Sequence, residues 1–197
     1  AGSAAGGEES REPFVLRRQG QLCVLWKPPE WAATAADSEE RLSEEAKRYG
    51  SGLLLRNWLA DRVGATHPIV HDEGVTHGLV HRLDRHTSGA ILWAGSYRAL
   101  CEARLQFAAR RVEKRYVCLC HGTLDPTPRL LTKPLLECTT EWGVSRSGVA
   151  EYGRRACTEV VAVQHMVSPD GEPVSLTEVL LHTGRLHQIR AHLCGEG

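Results

Sequence analysis

The sequence predicts an α+β fold built on a mixed, mostly antiparallel central sheet that is flanked by helices. Stretches with the period of two that strands require and stretches with a helical period both occur, but they do not alternate regularly along the chain. A hairpin is predicted over residues 156–164 and 174–181, because Ser168-Pro169-Asp170-Gly171 between them has turn composition. We find no internal repeat and no heptad pattern in the sequence.

Composition favours one globular domain. The chain has 197 residues with 42% hydrophobic content, enough to bury a core. Small, polar and acidic residues predict a disordered segment over residues 1–12, which leaves residues 13–197 as the predicted domain. The sequence has neither a long apolar run nor a secretory leader, so we expect an intracellular protein without membrane contact. Seven scattered cysteines argue against a disulfide framework.

The first half of the chain is predicted to supply scaffold. An apolar run over residues 21–26 predicts a buried strand that stops at Pro28 and Pro29, since proline has no amide hydrogen to offer a sheet. A capping box predicts a helix over residues 37–49. Apolar residues on one face predict a second helix over residues 52–63.

The second half begins with a helix and a strand. Ser96 is suited to cap a helix that continues to about Arg110. Alternation over residues 113–121 predicts a strand with Tyr116 and Cys118 on the same face.

The remainder of the chain is predicted to contain less regular structure. Glycine, proline, threonine and serine over residues 122–153 predict a long irregular connection ahead of the hairpin. A short helix over residues 185–193, capped by Thr183, is predicted to follow it.

The stretch His81-Arg82-Leu83-Asp84-Arg85-His86-Thr87-Ser88-Gly89 places one carboxylate in a polar turn. Apolar runs precede it at residues 78–80 and follow it at residues 90–93, which predicts strand, loop and strand. A carboxylate at a strand end is suited to act as a nucleophile, a general base or a metal ligand. Aspartate, threonine, serine and glycine are also common turn residues. These residue types alone leave a catalytic and a turn role of Asp84 open.

Three further stretches occur in a fixed order around this loop. Leu22-Cys23-Val24-Leu25-Trp26-Lys27-Pro28 comes first, Lys114-Arg115-Tyr116 follows the loop, and Thr183-Gly184-Arg185-Leu186-His187-Gln188-Ile189-Arg190 lies near the end. Together with residues 81–89 they resemble the RluA-type RNA pseudouridine synthases over about residues 21–193.

The resemblance implies the pseudouridine synthase catalytic fold and an isomerase. It implies that Asp84 is the essential catalytic residue, attacking either uracil C6 or ribose C1′. It also implies that Arg185 is the ion-pair partner of Asp84 and that Tyr116 packs against the target base. No metal and no organic cofactor is implied. The implied partner is uridine-containing rRNA, tRNA or mRNA, and we expect a monomer.

Contacts to RNA phosphates are predicted from local charge, since the net charge of the chain is zero. Residues 98–115 hold six basic and two acidic side chains. Such a patch is typical both of a phosphate-binding surface and of a solvated helix face. Residues of this patch and of the segments 81–89 and 183–190 are predicted to bind RNA. They are Arg82, Arg98, Arg110, Arg111, Lys114, His187 and Arg190.

Two departures from the family pattern favour a second hypothesis, an RNA-binding module without catalysis. Glu30 stands where the pattern has glycine, so the turn after Lys27 is expected to differ. The sequence also stops at Gly197 where the family continues, so we expect a truncated C-terminal end. A zinc-dependent hydrolase is a third hypothesis, because histidines and cysteines are zinc ligands, although the sequence has no paired Cys-x-x-Cys motif.

Overall fold

A computed structural model of the protein describes residues 11–33, 53–139 and 145–196. The chain forms two compact units, residues 1–108 and residues 109–197. The helix predicted over residues 37–49 lies outside the described residues, as do residues 1–10 of the segment predicted to be disordered. The assignment of residues 13–197 to one catalytic domain stays a prediction. Among the described residues, no helix is long and apolar enough to cross a membrane.

The first unit contains a three-stranded antiparallel sheet in the order β1-β2-β3. Its elements are β1 (Phe14–Gln19), β2 (Leu22–Lys27), α1 (Leu55–Val63), two 3-10 segments (Pro68–His71 and Glu73–Gly78), β3 (Gly89–Ala94) and α2 (Tyr97–Ala108). Alternate residues of β2 are buried. Cys23 and Leu25 share a core with Leu55, Trp58 and Leu59 of α1. The core therefore lies between the sheet and α1, and β3 leads directly out of the loop that contains Asp84.

The second unit contains a four-stranded sheet in the order β4-β9-β8-β5 and a two-stranded sheet, β6-β7. Its elements are β4 (Arg115–His121), β5 (Arg129–Leu131), β6 (Leu135–Thr139), β7 (Ser145–Val149), β8 (Thr158–Val167), β9 (Pro173–Leu181) and α3 (Gln188–Cys194). Every ladder between these strands is antiparallel. Val160 and Val179 are fully buried and pack with Leu193 of α3. This core fixes α3 against the sheet that contains Tyr116.

The α+β class is confirmed, and so are several of its elements. β8 and β9 form the predicted hairpin, closed by a bond from Gly171 N to Ser168 O of 2.9 Å. Ser96 Oγ accepts from Ala99 N at 3.3 Å, as expected of a helix cap. Side chains of β4 alternate between half-buried and exposed, with Tyr116 on the half-buried face.

Several local predictions were wrong. Residues 122–153 are not an irregular connection, because they contain β5, β6 and β7. Most residues of β6 and β7 are exposed, so backbone pairing holds them together and no apolar alternation marks them. Strand β1 escaped prediction for the same reason, since all six of its residues are exposed.

The lead-in to the central loop and the last helix also differ from prediction. Residues 78–80 do not form a strand, since Leu79 makes only an isolated bridge with Trp93. Helix α3 begins at Gln188 rather than at residue 185, and Thr183 does not cap it. His187 is the N-cap residue, with a left-handed backbone and no side-chain capping bond.

Gly78 provides a test of the packing beneath the central loop. Its φ is +81°, and a Cβ there would lie 2.5 Å from Ala94 O and 2.8 Å from Trp93 Nε1. Gly20 has a φ of +57° with nothing within 4 Å of such a Cβ, so it is the matched control. Gly78→Ala should lower the free energy of unfolding by about 1–3 kcal/mol more than Gly20→Ala, as measured by urea denaturation. Equal losses would contradict the close packing described here.

Candidate active site

The loop over residues 81–89 holds Asp84 between a buried residue and a tight turn. Leu83 is buried, which fixes the residue immediately before the carboxylate. Thr87 N donates to Asp84 O at 3.0 Å and closes the turn. Asp84 itself is half-buried. The carboxylate therefore sits on a backbone that is fixed on both sides.

Lys27 ties this loop to the turn that follows β2. The side chain is 0% exposed. Its Nζ donates to Pro28 O at 3.0 Å, to Trp31 O at 2.7 Å and to Arg85 O at 3.0 Å. Carbonyl acceptors on a buried ammonium offset the loss of its hydration. The bond to Arg85 O fixes the carbonyl of the residue after Asp84.

Glu30 makes a second connection between the same two segments. Its carboxylate lies 2.7 Å from His86 Nδ1 and 3.8 Å from Arg85 Nε. Arg85 Nε also donates to Glu30 O at 3.2 Å. Glu30 has a φ of +68°, the region that glycine favours. The turn therefore has a left-handed residue at the position where the family pattern has glycine, and Glu30 adds a carboxylate that contacts the loop.

His81 connects the start of the loop to β3. Its Nε2 accepts from Leu92 N at 3.1 Å, so the proton of the neutral ring lies on Nδ1. The ring centroid lies 5.0 Å from that of Phe107 on α2. The loop that presents Asp84 therefore begins at His81, which contacts both a strand and a helix of the first unit.

In the second unit, Gln188 fixes the loop that carries Arg185. It is 2% exposed. Its Oε1 accepts from Thr183 Oγ1 at 2.7 Å and from Arg185 N at 3.0 Å. Its Nε2 donates to Cys157 O at 3.0 Å and to Thr158 Oγ1 at 2.9 Å. One buried amide therefore links residues 183–185 to the start of β8.

Arg185 is half-buried, and its Nε donates to Arg155 O at 3.2 Å. This bond uses one of the five N–H donors of the guanidinium and fixes the direction of the side chain. The pairing of Arg185 with Asp84 would join residues of different units, so it stays a prediction.

Lys114 immediately precedes β4 and is half-buried, and Tyr116 lies on the half-buried face of that strand. Lys114 Nζ donates to Thr183 O at 3.3 Å, which connects this strand to the loop that contains Arg185. Burial, and then the nearby charge of Arg110, lower the pKa of Lys114 below its ordinary value. The Tyr116 ring packs against the core that contains Val179.

His187 and Arg190 lie at the start of α3. His187 has a φ of +47°. Burial, followed by the charge of Cys120, raises the pKa of Cys118 on β4 to about 11. The charge of exposed Arg190 opposes this rise in the pKa. Arg190 therefore lies near the face of β4 that holds Tyr116.

The remaining predicted RNA-binding residues are exposed, and one of them, Arg98, is ion-paired. Arg82, Arg110 and Arg111 are exposed. Arg98 is paired with Glu102 at 2.8 Å, which partly neutralises it. Arg115 is paired with two carboxylates in the same way. The local basic excess is therefore smaller than the sequence suggests.

The sequence did not predict the roles of Lys27, Gln188 and Glu30. Lys27 and Gln188 lie inside the resembling segments, but their roles depend on burial, which the sequence does not show. The role of Glu30 depends on its contact with His86, which lies 56 positions away in the sequence. Within residues 11–33, 53–139 and 145–196, no group of three or more histidine, cysteine, aspartate or glutamate side chains is placed to hold a metal ion.

Lys27→Met tests the connection to the central loop. The change leaves three carbonyl groups without their donor, so the free energy of unfolding should fall by on the order of 3 kcal/mol. Lys133, whose side chain is 55% exposed, is the matched control, and Lys133→Met should cost less than about 1 kcal/mol. Urea denaturation measures both, and similar losses would show that the Lys27 bonds contribute little.

Cys118 gives the second unit a predictable response to pH. An unfolded chain ionises this thiol near its ordinary pKa of 9.0, whereas the folded chain keeps the proton until about pH 11. The free energy of unfolding of the wild type should therefore decrease between these two values. Cys118→Ala should decrease less over the same range when both proteins are unfolded by urea under reducing conditions. Parallel curves would argue against a buried thiol.

Comparison with known proteins identifies the family. The profile of the family described as RNA pseudouridylate synthase matches residues 23–194. An uncharacterized RNA pseudouridine synthase of Mycobacterium bovis is 36% identical over 116 residues, which cover 58% of this chain and 35% of that protein. A protein named ribosomal large subunit pseudouridine synthase C, from Buchnera aphidicola subsp. Schizaphis graminum, is 31% identical over 120 residues, 60% of this chain and 36% of that protein. The matches thus span about a third of these relatives.

Solved structures show the same fold. Human RNA pseudouridylate synthase domain containing 1 superimposes with a TM-score of 0.67 at 22% identity, covering 93% of this chain and 65% of that one. Human RNA pseudouridylate synthase domain containing 4 has a TM-score of 0.58 at 19% identity. The predicted fold and the predicted family are both confirmed. With its four resembling segments inside or overlapping the matched region, the chain belongs to the RNA pseudouridylate synthase family.

Proposed function

We propose that the protein is an RNA pseudouridine synthase that isomerises specific uridines, with Asp84 as the nucleophile. The observation that supports this most directly is the fixed loop around Asp84 in a chain of this family. Buried Lys27 holds the peptide of Arg85, and buried Leu83 holds the other side of the carboxylate. A half-buried carboxylate on a preorganised backbone suits nucleophilic catalysis.

The proposed reaction breaks the bond between uracil N1 and ribose C1′ and forms a bond between uracil C5 and the same ribose carbon. The proton leaves C5 and N1 gains one, so the reaction involves no net oxidation and no group from outside. Asp84 attacks uracil C6 or ribose C1′, and either route requires an ionised carboxylate. On the C1′ route the carboxylate leaves C1′ as C5 attacks that carbon, and on the C6 route it leaves C6 after the new carbon–carbon bond has formed.

Arg185 is the proposed partner that keeps Asp84 ionised. A carboxylate in a site dry enough to hold a base tends to take up a proton, and an adjacent cation opposes this. Arginine stays charged and offers a planar fork to two carboxylate oxygens. Two bonds support the role: the bond to Arg155 O fixes the direction of the side chain, and the bond to the buried amide of Gln188 fixes the backbone of Arg185.

Tyr116 is the proposed stacking residue for the target base. Stacking on an aromatic ring contributes about 1–3 kcal/mol per base, whereas removing a paired uridine from its stack costs about a few kcal/mol. Stacking alone is therefore insufficient, and contacts to the flanking phosphates must supply the difference. The proposed phosphate contacts are Arg82, Arg98, Arg110, Arg111, Lys114, His187 and Arg190.

Ribosomal RNA is the first substrate to test. The proteins from Buchnera aphidicola are named for modification of the large ribosomal subunit. We extend this substrate class to the present chain as part of the proposal. A monomeric state and the choice of target uridine stay predictions.

Asp84→Asn tests the proposed reaction. The amide keeps the shape of the side chain but removes the nucleophile, so pseudouridine formation in ribosomal RNA should fall by more than about a thousandfold. Asp61 is exposed on α1, and Asp61→Asn is the matched control that should keep wild-type activity. Chromatography of nucleosides from digested RNA measures the product. Equal product from wild type and Asp84→Asn would reject Asp84 as the nucleophile. RNA binding without product from the wild type would instead favour the inactive module.

A further inference from the structure

Tyr152 is displayed to solvent on a turn that follows β7. The residue is 94% exposed. Within the part of the chain that the structure describes, its ring makes no aromatic contact and its hydroxyl makes no hydrogen bond. A tyrosine has a large apolar face that favours contact with another surface over water. The ring is therefore available to a partner.

The turn that carries Tyr152 is fixed by its backbone. Gly153 N donates to Ala150 O at 2.9 Å. Arg154 and Leu135 exchange two backbone bonds, of 2.7 and 2.9 Å. A Cβ at Gly153 would lie 2.4–2.7 Å from backbone atoms of Leu135, so the turn packs directly on β6. Tyr152 thus projects from a rigid backbone, which lowers the entropic cost of stacking a ligand on its ring.

Two arginines follow the tyrosine. Arg154 and Arg155 are exposed, and within the described residues neither forms an ion pair. Arg154 lines a shallow cavity together with Tyr152 and Glu137, and Glu151 precedes the tyrosine. Because carboxylates adjoin the cations, a ligand that binds through phosphates alone suits this surface poorly. A nucleic-acid strand that offers an unpaired base to the ring and phosphates to the arginines suits it better.

This surface continues directly into the loop that carries Arg185. The carbonyl of Arg155 accepts from Arg185 Nε at 3.2 Å. Arg155 is three positions after Tyr152 in the sequence, which is at most about 11 Å of extended chain. The ring and the Arg185 guanidinium therefore lie within reach of neighbouring nucleotides on one RNA strand.

We propose that Tyr152 is a stacking platform for an unpaired nucleotide that flanks the target uridine, and that Arg154 and Arg155 contact its phosphates. The proposal rests on the proposed function, because the occupant is the substrate RNA. The strand is single-stranded at this point, since bases inside a duplex have no free face to stack on a protein ring. The platform tolerates any base, because every base has such a face.

Equilibrium binding of oligouridylate tests the platform. Tyr152→Ala should weaken binding of single-stranded oligouridylate about five- to tenfold, the lower part of the range expected for one stacked base. Tyr152→Phe keeps the ring and should bind like the wild type. The duplex of oligouridylate with oligoadenylate should bind all three proteins equally. Fluorescence anisotropy at several salt concentrations measures these affinities.

The salt dependence separates stacking from charge. Arg154→Gln and Arg155→Gln should each reduce the slope of log Kd against log salt concentration by about 0.7, as expected for one phosphate contact on a single strand. Tyr152→Ala should leave this slope unchanged. Val167 is 70% exposed at the end of β8, and Val167→Ala is the control for loss of an exposed apolar side chain.

Three outcomes would overturn the platform. One is an unchanged affinity of Tyr152→Ala, and another is an equal loss for Val167→Ala. The third is a concentration-dependent dimer of the wild type that Tyr152→Ala abolishes, because it would assign this surface to a second copy of the chain. Failure of the proposed function would give a different result from failure of the platform. Wild-type protein would then bind oligouridylate through Tyr152 while pseudouridine formation is absent or independent of Asp84.

Discussion

The buried ammonium of Lys27 is the interaction on which the proposed nucleophile depends. Removing a charged group from water costs several kcal/mol in a folded protein. Three carbonyl groups offset this cost, and one of them belongs to the residue after Asp84. The lysine therefore contributes to stability only while the loop and the turn stay in place, which couples the position of the proposed nucleophile to the folding of the first unit.

The second unit uses a neutral amide for the same purpose. Gln188 accepts from Thr183 and from Arg185 in the loop that holds Arg185, and its partner Thr158 is also contacted by His192 at 2.9 Å. A buried amide with all its bonds made is stable in one orientation only, since each lost bond leaves an unsatisfied polar group. The proposed cation is thus positioned from the core of its own unit.

Local backbone strain occurs at both loops. Glu30 and His187 have φ values of +68° and +47°, which cost on the order of 1–2 kcal/mol for a residue with a side chain. Strained residues persist where the surrounding structure determines their conformation. For Glu30 the bonds to Arg85 and His86 supply this, so the turn holds a left-handed residue that has a side chain.

The sequence by itself determined the α+β class, the family, the β8–β9 hairpin and the loop that presents Asp84, because these rest on local turn chemistry, periodicity and contiguous motifs. It did not reveal β1, β6 and β7, whose residues are largely exposed and lack an apolar period. Only the tertiary structure decided that Lys27 is a buried donor to the loop of Asp84, that Gln188 is buried and bonded to the start of β8, and that Tyr152 is exposed. Burial and pairing across many residues arise from packing, which no local pattern encodes.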